Sequence, residues 1–198
     1  VYIYSLNSSS GEEAWRFNIS RSRPARNAGN TQDKLTLRDG TVYASGVDGR
    51  IYAVDADSGT EEWNMSIRHW VNSDVVPFST VSDGVAYVAG VNAEIRALDA
   101  TTRRLLWNSN IKNGTSLTGT ISDVFLTGTV SGDTIYIAGE VEEDKEDSVK
   151  GSRGILVALD ASSGERIWSY NTSDSTPSVY SPVVGDGLVY IRDRSNWN

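Results

Sequence analysis

The chain has 198 residues, with 26 Asp and Glu against 18 Lys and Arg, a formal net charge of −8 and no cysteine. That acidic balance disfavours nucleic acid and anionic membrane as partners, and the missing thiols exclude a disulfide framework, a thiolate nucleophile and cysteine metal sites. No run approaches the ~18 apolar residues of a membrane span and no secretory leader is present; the chain opens in mid-phrase at Val1 and reads as processed or excised.

Residues 1–20 hold two short strand-like runs around a polar corner, SLNSSSGEEAW, in which Asn7 stands eight residues before Trp15. The same corner returns along the chain: VDADSGTEEW with Asp55, Gly59 and Trp63, ALDATTRRLLW with Asp99 and Trp107, and ALDASSGERIW with Asp160, Gly164 and Trp168. A catalytic constellation is normally built once, whereas a structural corner is repeated with its unit. An Asp or Asn at the head of a tight loop accepts hydrogen bonds from backbone N–H groups two residues on, and Gly11, Gly59 and Gly164 supply the positive φ of a hairpin corner. Four residues later the indole is placed to lie against a neighbouring unit.

Residues 21–66 form the first whole unit: DKLTLR, then DGTVYASG, then RIYAVD, then the corner and its EEW strand. These are short β-branched and aromatic runs between turn residues, four to a unit, which is the pattern of a β-propeller blade. The third run, Ile51 to Val54, is apolar on both faces and suits a sheet held between two others. Residues 67–112 repeat the plan with VVPFSTV, DGVAYVAG, EIRALD and LLW. Here Arg103 stands where the corner glycine is expected, at a cost of about 1 kcal/mol in a left-handed conformation, so a distorted turn is expected. Arg96 interrupts the apolar run; its stem is expected to pack while its head reaches solvent, with a buried ion pair as the alternative. The lone histidine, His69, has no second His or Cys to complete a zinc set and reads as a surface or interface residue.

Residues 113–173 are the third unit, and they carry an insertion. Tyr43 to Asp55 and Tyr87 to Asp99 each span twelve residues, whereas Tyr136 to Asp160 spans twenty-four. The extra stretch, VEEDKEDSVKGS at 141–152, reads as a solvated acidic loop and the first candidate interaction site. Glu142, Asp144 and Asp147 are weak calcium candidates within it, without the spaced pattern of an EF-hand loop. Residues 174–198 supply the leading half of a further unit, SVYSPVV and GDGLVYIR, complementary to the trailing half at 1–20. Asn-x-Ser/Thr sequons occur at Asn7, Asn18, Asn64, Asn113 and Asn171, against about two to three expected by chance, and mark the glycosylation candidates of an exported protein.

Residues 39–63, DGTVYASGVDGRIYAVDADSGTEEW, resemble the pyrroloquinoline-quinone-type (PQQ-like) propeller repeat, worded close to DGxVYxGxxDGxxYALDAxTGxxxW, and the resemblance extends over nearly the whole chain. It implies an all-β propeller of four-stranded antiparallel blades, here three whole blades and two half blades, as part of a ring of seven or eight. Three arrangements stay open: a four-bladed ring closed through a shared blade, a window of a larger ring, or completion by neighbouring copies. The family includes quinoprotein dehydrogenases, a scaffold of the bacterial barrel-assembly machine and surface proteins, so fold alone does not choose a function. A dehydrogenase of that type would bind its quinone on the axis with calcium held by Glu, Asn and Asp, commonly beneath a disulfide of adjacent cysteines, which this chain lacks. The expectation is therefore a non-catalytic scaffold without cofactor or resident metal. It would be extracellular, at the cell surface or, in a bacterium, periplasmic, and would meet protein or glycan partners or associate with itself through the half blades. The alternatives are a subunit of a surface layer or filament and a fragment of a quinoprotein dehydrogenase.

Overall fold

A computed structural model describes residues 1–19, 35–46, 48–67, 78–89, 93–111, 120–144, 150–172, 179 and 181–192. Among them the fold is all-β. Three four-stranded antiparallel sheets follow one another: β3 (Thr36–Arg38), β4 (Thr41–Gly46), β5 (Arg50–Asp55) and β6 (Glu61–Ser66); β7 (Phe78–Ser82), β8 (Val85–Ala89), β9 (Glu94–Asp99) and β10 (Leu105–Asn110); and β11 (Thr120–Ser131), β12 (Thr134–Asp144), β13 (Lys150–Asp160) and β14 (Arg166–Asn171). Two-stranded sheets flank them, β1 (Tyr2–Leu6) with β2 (Glu13–Asn18), and β15 (Val183–Gly185) with β16 (Leu188–Tyr190). Each sheet is a simple meander, because each strand is joined to the next by a turn too short for any other pairing. The Asp-Gly turns Asp39-Gly40, Asp83-Gly84 and Asp186-Gly187 hold both residues at positive φ, the mirror-image turn whose twist matches the flanking strands.

The leading strands β3, β7, β11 and β15 touch one another from sheet to sheet, so they line the propeller axis and β6, β10 and β14 lie outermost. Hydroxyl pairs join the inner strands: Thr36 Oγ1 lies 3.2 Å from Thr80 Oγ1, Thr127 bonds Ser181, and Arg38 donates to Ser82 Oγ at 3.0 Å.

There is no single core. Four apolar clusters are buried, one at each contact between consecutive sheets. The pleat explains this, since successive side chains point to opposite faces. In β5, Tyr52 and Val54 pack back against Ile3 and Ile19, while Ile51 packs forward against Val81, Ala86 and Leu98. In β13, Ile155, Val157 and Leu159 face back to Ile95 and Tyr87, and Leu156 faces forward to Val179. Fully burying such a side chain contributes about 1.5 to 3 kcal/mol, which is why the middle strands carry no polar alternation.

Three features differ from expectation. The 141–152 stretch is not a loop from its start: Val141↔Arg153 through Asp144↔Lys150 continue the β12–β13 ladder, so most of the insertion lengthens a hairpin. The turn at Arg103 is not distorted. Arg103 takes φ 64, close to the glycines' values, and keeps the Arg103 N to Asp99 O bond at 2.7 Å, so the residue bears the left-handed strain and the turn keeps its shape. Arg96 is ion-paired with Glu94 at 2.6 Å, two residues away on the same face, with its side chain only 20% exposed. Of the three arrangements left open, the closed four-bladed ring is the one not seen: among the described residues β1–β2 and β15–β16 are separate sheets.

Candidate interaction surface

In an antiparallel meander the first and third turns emerge at one end of the sheet and the second at the other. One face of the propeller therefore carries both the inner Asp-Gly turns and the outer corners. At each corner one side-chain oxygen closes the loop: Asn7 Oδ1 accepts from Ser9 N and Ser10 N at 2.9 and 3.0 Å, Asp55 Oδ1 from Ser58 N at 2.7 Å, Asp99 Oδ1 from Thr101 N and Thr102 N at 3.0 and 2.6 Å, and Asp160 Oδ1 from Ser162 N and Ser163 N at 3.0 and 2.9 Å. These bonds favour the ionised acid. The Ser58 hydroxyl and N–H hold the Asp55 carboxyl below its usual range, the Thr102 N–H does so for Asp99, and the Ser162 hydroxyl and Ser163 N–H do so for Asp160.

The residue after the acid ties the corner inward. Ala56 N donates to Gly40 O, Ala100 N to Gly84 O and Ala161 N to Asp133 O, at 2.8, 2.8 and 2.9 Å. Its carbonyl then receives the preceding blade: Trp15 Nε1 donates to Ala56 O at 2.8 Å, and Trp107 Nε1 to Ala161 O at 3.0 Å. Each of these indoles lies on the next corner's glycine, where a Cβ would come within 2.6 Å of Trp15 at Gly59 and 2.4 Å of Trp107 at Gly164. Within each blade the tyrosine of the second strand meets the tryptophan of the fourth, Tyr43 with Trp63, Tyr87 with Trp107 and Tyr136 with Trp168, at 5.9 to 6.0 Å between centroids. Burial, then the carboxylates of Asp83 and Asp160, push the Tyr87 phenol up.

The contact between the first and second whole blades departs from this scheme. Trp63 Nε1 has no acceptor among the described residues, Arg103 stands in place of the glycine, and a groove of about 640 Å³ opens between Arg103 and the outer strand β6. At the far contact Trp168 is 38% exposed, and nothing lies within 4 Å of a Cβ on Gly11.

The acids and indoles singled out in the sequence do not converge on one pocket; they are spread one set to a blade. Of the sequon asparagines, Asn7 is exposed on its corner, Asn18 ends β2, and Asn171 ends β14 with Oδ1 buried. Asn64 on β6 has its side chain engaged on both sides, by Arg50 and by Glu61 at 2.6 Å. Glu142 and Asp144 lie on β12, while Asp147, His69 and Asn113 fall outside the described residues. Sequence reasoning missed the alanine carbonyls that take the indole N–H and the Tyr–Trp contacts. The twenty-residue interval from Tyr43 to Trp63 and from Tyr87 to Trp107 was the available signal for the latter.

Among the described residues, the inner strands offer no set that fits a calcium-held quinone. Thr36, Thr80, Ser82 and Thr129 offer hydroxyls and Arg38 a cation, and no group of three or more His, Cys, Asp or Glu side chains among the described residues is arranged to hold a metal ion.

The family described as outer membrane protein assembly factor BamB matches residues 2–196. No curated protein sequence matches the chain significantly. Among solved structures, BamB from Moraxella catarrhalis is similar at 20% identity and TM-score 0.59 over 97% of this chain and 52% of its own, and Sqt1 from Saccharomyces cerevisiae at 10% and 0.61 over 98% and 50%. A quinohemoprotein alcohol dehydrogenase from Comamonas testosteroni is similar at 25% and 0.51 over 72% of this chain and 21% of its own. The chain thus spans about half the length of the first two of these proteins and 21% of the third. With nearly every residue covered by the family pattern and the blades in place, the chain belongs to the BamB family of PQQ-like β-propellers.

Proposed function

We propose that this chain is a non-catalytic extracytoplasmic scaffold whose corner face and outer strands bind protein or glycan partners. The observation that carries the reading is where the reactive side chains are spent: the corner carboxylates on turn locks and two of the indoles on blade contacts. That leaves surface and edge, not an active centre, as the means of action. Membership in a family described as an outer membrane assembly factor supports a place outside the cytoplasm and a protein partner. The sequon at Asn18, exposed at the end of an outer strand, supports glycosylation in an organism that glycosylates exported proteins.

The test places a photo-crosslinking amino acid at exposed Ser9, Asp57 or Glu62 in cells that make the protein. Discrete, position-dependent adducts in the envelope fraction are expected. Adducts confined to cytosolic proteins would refute the reading, as would quinone- and calcium-dependent alcohol oxidation by the purified chain. A second reading, a surface-layer or filament subunit, is favoured by the apolar side chains that the two-stranded sheets expose, Tyr2, Tyr4 and Leu6 on one and Val183, Leu188 and Tyr190 on the other. It requires concentration-independent polymers in light scattering and microscopy.

A further inference from the structure

The three corners that meet a preceding blade provide an internal comparison. At Gly59 and Gly164 an indole lies on the glycine and its N–H is spent on an alanine carbonyl. At Arg103 the backbone is the same, φ 64 against 70 and 73, yet among the described residues Trp63 finds no acceptor and the Arg103 side chain no partner. A side chain in the left-handed region is strained where glycine is not. At this contact a groove of about 640 Å³ opens.

The groove has the chemistry of a polyol site. Its wall includes the half-buried Trp63, which meets the tilted ring of Tyr43 at 5.9 Å between centroids. On the face of β6 that carries Trp63, Arg103 supplies guanidinium donors and Glu62 supplies acceptors, one charge of each sign, so this side of the groove holds no net charge to draw in an ion. Glu62 is held in place by Thr41 Oγ1, which donates to it at 3.2 Å, while Arg50, Asn64 and Glu61 bond one another on the face of β6 that carries Tyr52. A ligand that presents an apolar ring face to an indole, and hydroxyls that both donate and accept, matches this set.

We propose that the groove between β6 and Arg103 binds a neutral saccharide, one pyranose ring against Trp63 and its hydroxyls on Arg103 and Glu62. This rests on the scaffold reading above and names a ligand class for one of its surfaces. The test is saturation-transfer NMR on the purified 198-residue chain with cellobiose, chitobiose and maltose at about 10 mM. Transfer to at least one disaccharide is expected, with affinity about tenfold weaker in Arg103→Gly. That variant relieves the backbone strain and restores the glycine on which the other two indoles lie, so it is expected to melt no lower than the parent, and lost binding cannot be put down to misfolding. No transfer from any of the three disaccharides overturns the proposal, as does transfer unchanged in Arg103→Gly. Binding of an extended capped peptide such as acetyl-TVTVTV-amide along β6, in place of any sugar, also overturns it. The crosslinks that test the scaffold reading would survive each of these failures.

Discussion

A single carboxylate oxygen at the head of each corner does the work of an absent strand partner, by taking the N–H groups that a four-residue loop leaves unpaired. Because the loop bonds lower the pKa of Asp55, Asp99 and Asp160 below the unfolded value of 3.8, their contribution is fully present above that pH and is lost as the pH falls from there through the folded values. Asn7 fills the same role with an amide and cannot titrate. The triple variant Asp55→Asn, Asp99→Asn, Asp160→Asn is therefore expected to melt close to the parent at pH 7 and to lose less melting temperature between pH 4 and pH 2, as read by circular dichroism. Corner glycines separate a second effect. Gly59 and Gly11 share a positive φ of 70 and 75, but only Gly59 lies beneath an indole. Gly11→Ala should cost about 1 to 2 kcal/mol for the left-handed region. Gly59→Ala should cost about 1 to 3 kcal/mol more, because its Cβ displaces Trp15, and urea midpoints compare the two.

At the level of the strand and the blade, the bonds from Trp15 and Trp107 to the next corner tie one blade to its neighbour. Trp107→Phe removes the N–H that Ala161 O accepts, whereas Trp63→Phe removes no bond of that kind. The first is expected to cost about 1 kcal/mol more than the second in equilibrium unfolding, the net value of one hydrogen bond. Equal costs would mean that area alone holds the blades together. Much of this was legible from spacing, since the interval from acid to indole fixes the corner and the apolar runs at Ile51–Val54 and Ile155–Leu159 name the middle strands. Two elements were not. The run of like charge at 141–152 reads as a solvated loop because charge says nothing about register, yet the flanking ladder of β12 and β13 continues through it. The shape of the Arg103 turn was missed because a propensity counts the local cost and not the hydrogen bonds on either side that hold the backbone in place. The groove beside Trp63 was beyond sequence altogether, since it lies between side chains about forty residues apart.

Over the whole molecule, stability is held in the contacts between neighbours, as in any array whose units meet only the next one. Those contacts are unequal. Among the described residues, the cluster between the second and third whole blades contains twelve buried residues, that between the first and second eight, that beneath β1–β2 five, and that beneath β15–β16 three. Unfolding should run in the reverse of this order, smallest cluster first, and not all-or-none. In native-state hydrogen exchange the amides of β15 and β16 are expected to open first, and those of β9, β12 and β13 last. Ile135→Ala, which hollows the largest cluster at a cost of about 2 to 5 kcal/mol, should speed exchange throughout β8, β9, β12 and β13 while leaving β4 and β5 close to their parental rates. If all these strands accelerate together, the blades form one cooperative body, and the indole contacts carry more coupling than the sizes of the separate clusters imply.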